Sequence, residues 1–160
     1  MFVIPDPGTP VITLTGICFT QITSLRMILL DTQLNLPSDT KHVEQVQPFV
    51  DELAQRYKLN AETHGNMVLT LTEAVTNAML HGNRGDRSKL VSISLRHDSG
   101  SLAVQVSDQG PGFDPCAVPD PTCKARVEEC GGRGIHIMRL LSDECNFIRN
   151  GSTVEMRFKI

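Results

Sequence analysis

Residues 72–83 read TEAVTNAMLHGN, and they place three polar side chains at a constant spacing of four residues. Glu73, Asn77 and His81 therefore fall on one face of a helix, one turn apart. The residues of the opposite face are apolar and suit a protein core: Val68, Leu71, Val75 and Met79. The pattern predicts a helix that is buried on one side and presents a polar row on the other.

The composition indicates one globular domain with an aliphatic core. The chain has 160 residues, of which 40% are hydrophobic and only 4% are aromatic, and this length suits a single domain. The net charge of −3 gives no basic surface, so direct nucleic-acid binding is not expected. No apolar stretch suits a bilayer, the N-terminus lacks a secretory pattern, and the five cysteines form no C-x-x-C pair. We therefore expect a cytoplasmic protein with reduced thiols and no membrane contact.

The first 26 residues are expected to form an N-terminal extension, either an edge strand or an extended segment. Pro5, Pro7 and Pro10 favour extended chain, whereas the following VITLTGICFTQIT is rich in β-forming residues. A strand pattern begins at Met27 in MILLDTQLNLPSD. Residues 27–160 are accordingly the predicted domain.

Two helices are predicted in the first half of that domain. Ser38 or Asp39 can cap the first helix, and Pro48 should kink or divide it. Asn60 can cap the second helix, which contains the polar row. Gly82 lies at the left-handed position that commonly follows a helix end.

Alternating residues predict strands in the second half of the chain. Residues 91–95 and 102–106 alternate around the turn sequence DSGS, and Asn150-Gly151 suits a type I′ turn between two further strands. Between these hairpins, GGRGIHIMRLLSD reads as a short helix. The predicted fold is an α+β two-layer sandwich, a mostly antiparallel sheet with helices on one face.

Three motifs follow one another in a fixed order: Glu73-x-x-x-Asn77 on a helix, DQGPG at 108–112 after a strand, and GGRG at 131–134 opening a helix. Glycines let the backbone approach a ligand, and a helix N-terminus attracts phosphate. Asn77 can supply an oxygen to Mg²⁺, Asp108 can accept a hydrogen bond from an exocyclic amine, and Glu73 can take a proton from an attacking hydroxyl. Each motif alone is a weak signal, but together they favour a nucleotide site.

At these motifs the chain resembles the GHKL, or Bergerat-fold, ATPases. It is most similar to the bacterial anti-sigma factor serine/threonine-protein kinases in SDTKHVEQVQPFV, TEAVTNAMLHGN, VSDQGPGFDP and GGRGIHIMRLLSD. The similarity extends over roughly residues 30–160. It implies ATP and Mg²⁺ as ligands, with Glu73 as catalytic base, Asn77 as magnesium ligand and Asp108 at the adenine amino group.

The resemblance also implies roles for the remaining motif residues. Gly110 and Gly112 would shape the adenine pocket, Gly132 and Gly134 would let the lid and the helix meet the phosphates, and Thr153 would help hold the adenine. A lid is expected from Asp114 to Cys130, where prolines interrupt the chain.

Two positions need separate comment. Some family members carry a basic residue where this chain has Cys130, so Arg133 is the alternative candidate for neutralising the phosphates. His81, the third member of the polar row, is interpreted as a C-terminal helix residue favoured by the helix dipole rather than as a catalytic group.

The resemblance implies a kinase that phosphorylates an anti-sigma-factor antagonist on serine and otherwise binds a sigma factor, acting in transcription regulation as a homodimer. One alternative is an ATP-gated protein-binding module of a partner-switching circuit without kinase activity. Another is a detached histidine-kinase ATPase domain, for which His42 is the nearest upstream acceptor. Pro48 follows His42 after six residues, which does not fit the usual acceptor pattern.

Overall fold

The structure is a computed structural model that describes residues 30–113 and 133–160. The strands are β1 Leu30–Pro37, β2 Leu90–Asp98, β3 Ser101–Ser107, β4 Glu144–Ile148 and β5 Thr153–Lys159. The helices are a 3-10 helix Thr40–Gln45, α1 Val46–Tyr57, α2 Ala61–Asn77 with a π-helical turn Ala78–Gly82, and α3 Arg133–Leu141. The predicted N-terminal extension, the predicted lid and Gly132 lie outside the described residues.

All neighbouring strands pair antiparallel, in the order β1-β2-β3-β5-β4. Alternate strand residues such as Ile93, Val104 and Met156 are buried in one cluster with residues of all three helices. The opposite face of the sheet is polar: Glu155 accepts a hydrogen bond from Gln105 at 2.7 Å and forms ion pairs within the same face. The predicted two-layer α+β sandwich is therefore confirmed.

The helix starts follow the capping residues in the sequence. Asp39 caps the 3-10 helix by accepting from the backbone of Lys41, and Asn60 caps α2 by accepting from the backbone of Thr63 at 2.8 Å. The first predicted helix is divided, as expected, because the 3-10 helix gives way to α1 at Val46. Pro48 then falls in the first turn of α1, where a backbone N–H has no helical partner to lose.

The expected left-handed cap at Gly82 is wrong. The helix continues through Gly82 as a π-helical turn, and left-handed backbone first appears at Arg84 (φ 57°) and Gly85 (φ 69°). Space explains the glycine at position 82: a Cβ atom there would collide with the carboxylate of Asp108. Gly82 is thus required by a tertiary contact and not by the helix end.

Asn150 and Gly151 have the positive φ that the predicted type I′ turn requires, but the connection between β4 and β5 is longer than two residues. Four residues separate the strands, and three of them are left-handed: Arg149 (φ 52°), Asn150 (φ 55°) and Gly151 (φ 81°). The carbonyl of Asn150 accepts from the backbone of Phe113 at 2.8 Å, so the turn is shaped by packing against a distant segment.

The buried side of α2 provides a test of the helix-to-sheet layer. Leu71 is fully buried and Leu69, two residues earlier, is 55% exposed. Leu71→Ala should lower the free energy of unfolding by about 2–5 kcal/mol, because it opens a cavity in the core. The matched control Leu69→Ala should change it by no more than about 0.5 kcal/mol. Urea denaturation followed by circular dichroism measures both, and equal losses would contradict the assigned orientation of α2.

Candidate functional site

A cavity of about 230 Å³ lies between α2, α3 and the C-terminal end of β3. Most of its wall is apolar: Ala74, Ala78, Val106, Ile135, Met138 and Val154. Asn77 and His81 reach the same cavity from the polar row of α2 and its π-helical extension, and Asp108 reaches it from the loop after β3. An apolar chamber with few convergent polar groups is typical of a small-molecule site.

Asp108 is held at its backbone and at its carboxylate. Its N–H donates to the carbonyl of Ser152 at 3.0 Å, and its Oδ1 accepts from the backbone of Gly110 at 2.7 Å. Burial raises the pKa of the Asp108 carboxyl, although the Gly110 hydrogen bond and the charge of Lys89 oppose this shift. A carboxylate with one oxygen already engaged and a desolvated setting is well suited to accept one further hydrogen bond.

Two glycines allow the end of the α2 extension to touch the loop that carries Asp108. A Cβ atom on Gly82 would collide with the Asp108 carboxylate, and a Cβ atom on Gly110 would collide with the carbonyl of Gly82. Side chains at either position would push the helix and the loop apart. The position of Asp108 at the cavity therefore depends on both glycines.

The first turn of α3 meets the polar row of α2. A Cβ atom on Gly134 would lie 2.8 Å from Nδ2 of Asn77 and 2.8 Å from Oε2 of Glu73. Gly134 thus leaves room for these two side chains between the helices. Asn77 belongs to the cavity wall, whereas Glu73 lies one turn earlier and is not part of the wall. The Glu73 carboxylate and the Asn77 amide therefore form a polar pair beside the first turn of α3.

The turn between β4 and β5 forms another part of the cavity wall, through Gly151 and Ser152. A Cβ atom on Gly112 (φ 79°) would collide with the carbonyl of Asn150, and one on Gly151 would collide with Phe113. The rings of Phe113 and Phe147 meet edge to face, with centroids 5.5 Å apart, and both line the cavity. These contacts place two aromatic rings in the same cavity wall as Asp108.

Thr153 lies on the opposite side of β5 from the cavity. Its hydroxyl is 2.9 Å from that of Ser107, and its side chain is buried. The neighbours Ser152 and Val154 line the cavity instead, as the alternation of a strand requires. Arg133 is exposed as the first residue of α3.

The sequence interpretation gave no role to several residues at the site. Asn83 is fully buried and its side chain contacts the backbone of Gln109, beside Asp108. The local sequence does not mark its burial, because its side-chain partners come from other segments of the chain. No sequence signal could have singled out Phe147 or Ser152, which depend on strand register.

Two classes of feature are absent from residues 30–113 and 133–160. No group of three or more histidine, cysteine, aspartate or glutamate side chains is arranged to hold a metal ion. No helix within these ranges has the length and apolar character needed to cross a membrane.

Residues 36–158 match the family of the histidine kinase-like ATPase domain. The chain is also similar to an anti-sigma F factor of Anoxybacillus flavithermus, with 31% identity across 71% of this chain and 74% of that protein. For the anti-sigma F factor of Geobacillus kaustophilus the values are 31%, 72% and 75%. For that of Bacillus cytotoxicus they are 28%, 71% and 74%.

The family match covers every residue that lines the cavity. An antiparallel sheet with helices on one face, a cavity beneath α2 and α3, and these relatives agree with one another. The chain therefore belongs to the histidine kinase-like ATPase family, with anti-sigma F factors among its relatives.

Proposed function

We propose that this chain is an ATP-binding anti-sigma factor with serine/threonine-protein kinase activity. It transfers the γ-phosphate of ATP to a serine of an anti-sigma-factor antagonist and otherwise binds a sigma factor. It acts in the cytoplasm as a homodimer in transcription regulation, without direct contact to nucleic acid or membrane. The observation that carries the proposal is that Asp108 and Asn77 line one apolar cavity, with Glu73 one helical turn before Asn77 and beside Gly134.

The adenine is assigned to the end of the cavity that holds Asp108. The second carboxylate oxygen accepts a hydrogen bond from the exocyclic amine, and the apolar and aromatic walls cover the faces of the ring. Gly110 and Gly112 support this assignment because their lack of a side chain brings the loop against neighbouring backbone.

The phosphates are assigned to the side of the cavity where the first turn of α3 meets Asn77 of α2. Asn77 would hold Mg²⁺ through its amide oxygen, a hard neutral ligand of the kind that this ion takes in small number. When bound, the ion neutralises charge on the phosphates. Gly134 lets α3 approach Asn77 and Glu73. Arg133, the first residue of α3, is the candidate for an additional positive charge near the phosphates.

Glu73 is assigned as the catalytic base. The serine hydroxyl of the antagonist attacks the γ-phosphorus, its proton passes to the Glu73 carboxylate, and ADP leaves. The 2.8 Å approach of a hypothetical Gly134 Cβ to both Glu73 and Asn77 supports a shared site for these side chains. Most of the catalysis would come from positioning and electrostatics.

Asp108→Asn tests the base end of the site. The variant places an N–H₂ group opposite the adenine amine, so ATP binding should weaken by about 2–4 kcal/mol. The same substitution should not lower the stability of the nucleotide-free protein at neutral pH. Because burial raises the folded-state pKa of Asp108, its ionisation costs stability as the pH rises through that pKa. The nucleotide-free variant should be at least as stable as wild type at pH 7 and lose that advantage in acid.

Calorimetric titration with ATP measures the first effect. Thermal unfolding at a series of pH values from about 3 to about 7, which covers the titration of a carboxyl group, measures the second. Wild-type ATP affinity in the folded variant would contradict the assignment of Asp108.

Glu73→Gln and Asn77→Ala separate the base from the magnesium ligand. Glu73→Gln should leave Mg²⁺-ATP binding nearly intact and slow phosphotransfer by about 10²–10⁴-fold. Asn77→Ala should weaken binding of ATP in the presence of Mg²⁺ as well as slow the reaction. Binding by calorimetry and transfer of labelled phosphate to candidate antagonists are measured on the same preparations.

The chemistry of the labelled product distinguishes the alternatives, because serine phosphate survives acid and histidine phosphate does not. An acid-labile product would support the detached histidine-kinase domain. ATP binding without any phosphorylated partner, and with Glu73→Gln silent, would support an ATP-gated binding module.

Gly134→Ala tests the contact between α3 and the polar row. The added methyl group meets the ends of two flexible side chains, so the fold should tolerate it while Glu73 and Asn77 are displaced. Phosphotransfer should fall at least about tenfold, since a misplacement of about 1 Å can cost 10²-fold. Gly65→Ala in α2 is the control: nothing lies within 4 Å of its Cβ position, and activity should be unchanged.

A further inference from the structure

Next to Asp108, side-chain hydrogen bonds at Gln109 replace the regular backbone pairing between β2 and β3. The last regular pair of this ladder is Ser92 with Ser107, and continuing that register by two residues would place Leu90 opposite Gln109. In a regular antiparallel ladder this pair would exchange two backbone hydrogen bonds. Instead, the N–H of Leu90 donates to the side-chain Oε1 of Gln109 at 2.8 Å.

The side-chain amide of Asn83 is inserted into the same gap. Its Oδ1 accepts from the backbone N–H of Gln109 at 2.8 Å, and its Nδ2 donates to the carbonyl of Leu90 at 3.0 Å. The second N–H of Nδ2 goes to the hydroxyl of Ser38 at 2.7 Å. Asn83 is fully buried, so both of its donors and its acceptor are used within the protein.

These contacts separate the loop after β3 from β2 by one amide group while tying the two together. Asp108, directly before Gln109, is held on its other side by the Ser152 carbonyl. Its carboxylate can therefore face the cavity while the Leu90 N–H and carbonyl and the Gln109 N–H keep hydrogen-bond partners. We infer that Asn83 and Gln109 form a clamp that positions Asp108 for recognition of the exocyclic amine of the base, an inference that rests on the proposed function.

The exposed member of the clamp gives the cleaner test. Gln109→Ala removes the acceptor for Leu90 N–H without opening a core cavity, and Gln109→Glu keeps an acceptor oxygen. The Kd values for ATP and for purine riboside triphosphate, which lacks the exocyclic amine, are measured by calorimetry on the full chain. Gln109→Ala should weaken ATP about three- to tenfold and the second ligand less than about twofold. Gln109→Glu should restore most of the ATP affinity.

A double-mutant cycle with Asp108→Asn asks whether the clamp acts through the carboxylate. In the Asp108→Asn background, Gln109→Ala should change ATP affinity less than about twofold, because the contact that it positions is already lost. Additive effects would overturn the clamp. In phosphotransfer, Gln109→Ala should raise the KM for ATP and leave kcat unchanged, since Glu73 and Asn77 lie on a different element.

Asn83→Ala is the second variant, and Thr70→Val is its control. Thr70 is a fully buried polar residue of α2 whose hydroxyl donates within its own helix. If both variants lower stability, only Asn83→Ala should reduce the preference for ATP over purine riboside triphosphate. Equal weakening of both ligands in the Asn83 and Gln109 variants would overturn the clamp alone. A wild-type chain that binds no ATP would overturn the proposed function and the clamp with it.

Discussion

The contact between the end of the α2 extension and the loop after β3 governs how the helical layer sits on the sheet. It is made at backbone level, because Gly82 and Gly110 have no side chains to separate the two segments. Asn83 then joins the same loop to the beginning of β2 and, through Ser38, to the segment after β1. Three separate parts of the chain thus meet at one buried amide, whose groups would be costly to leave unpaired.

Residues of α2 and of its π-helical extension, from Ala74 to Gly82, line one side of the cavity. Glu73 and Asn77 lie one α-helical turn apart, about 5.4 Å along the helix axis, whereas His81 belongs to the π-helical turn that follows. Gly134 brings α3 against the first two of these side chains. One helix with its extension therefore contacts the loop of Asp108 at Gly82 and the first turn of α3 at Glu73 and Asn77.

The site also carries a cost in stability that is consistent with a binding role. Asp108 is a carboxylate in a setting that disfavours its charge, as the upward shift of its pKa indicates. The turn between β4 and β5 holds two non-glycine residues, Arg149 and Asn150, at positive φ where it packs on Phe113. Strain and desolvation of this kind persist only where surrounding contacts fix them. Asp108 lines the cavity, and so do Gly151 and Ser152, which directly follow Arg149 and Asn150 in the turn.

Local periodicity and composition were sufficient to predict several features of the fold. The α+β class, a first cap at Ser38 or Asp39, the cap at Asn60 and the alternation of the strands followed from side-chain spacing and hydrogen-bonding chemistry. The tertiary structure alone decided the role of Gly82, the form of the turn after β4 and the burial of Asn83, because each depends on a partner distant in the chain. Local propensity favoured a left-handed cap and a two-residue turn, but backbone packing between segments outweighed it.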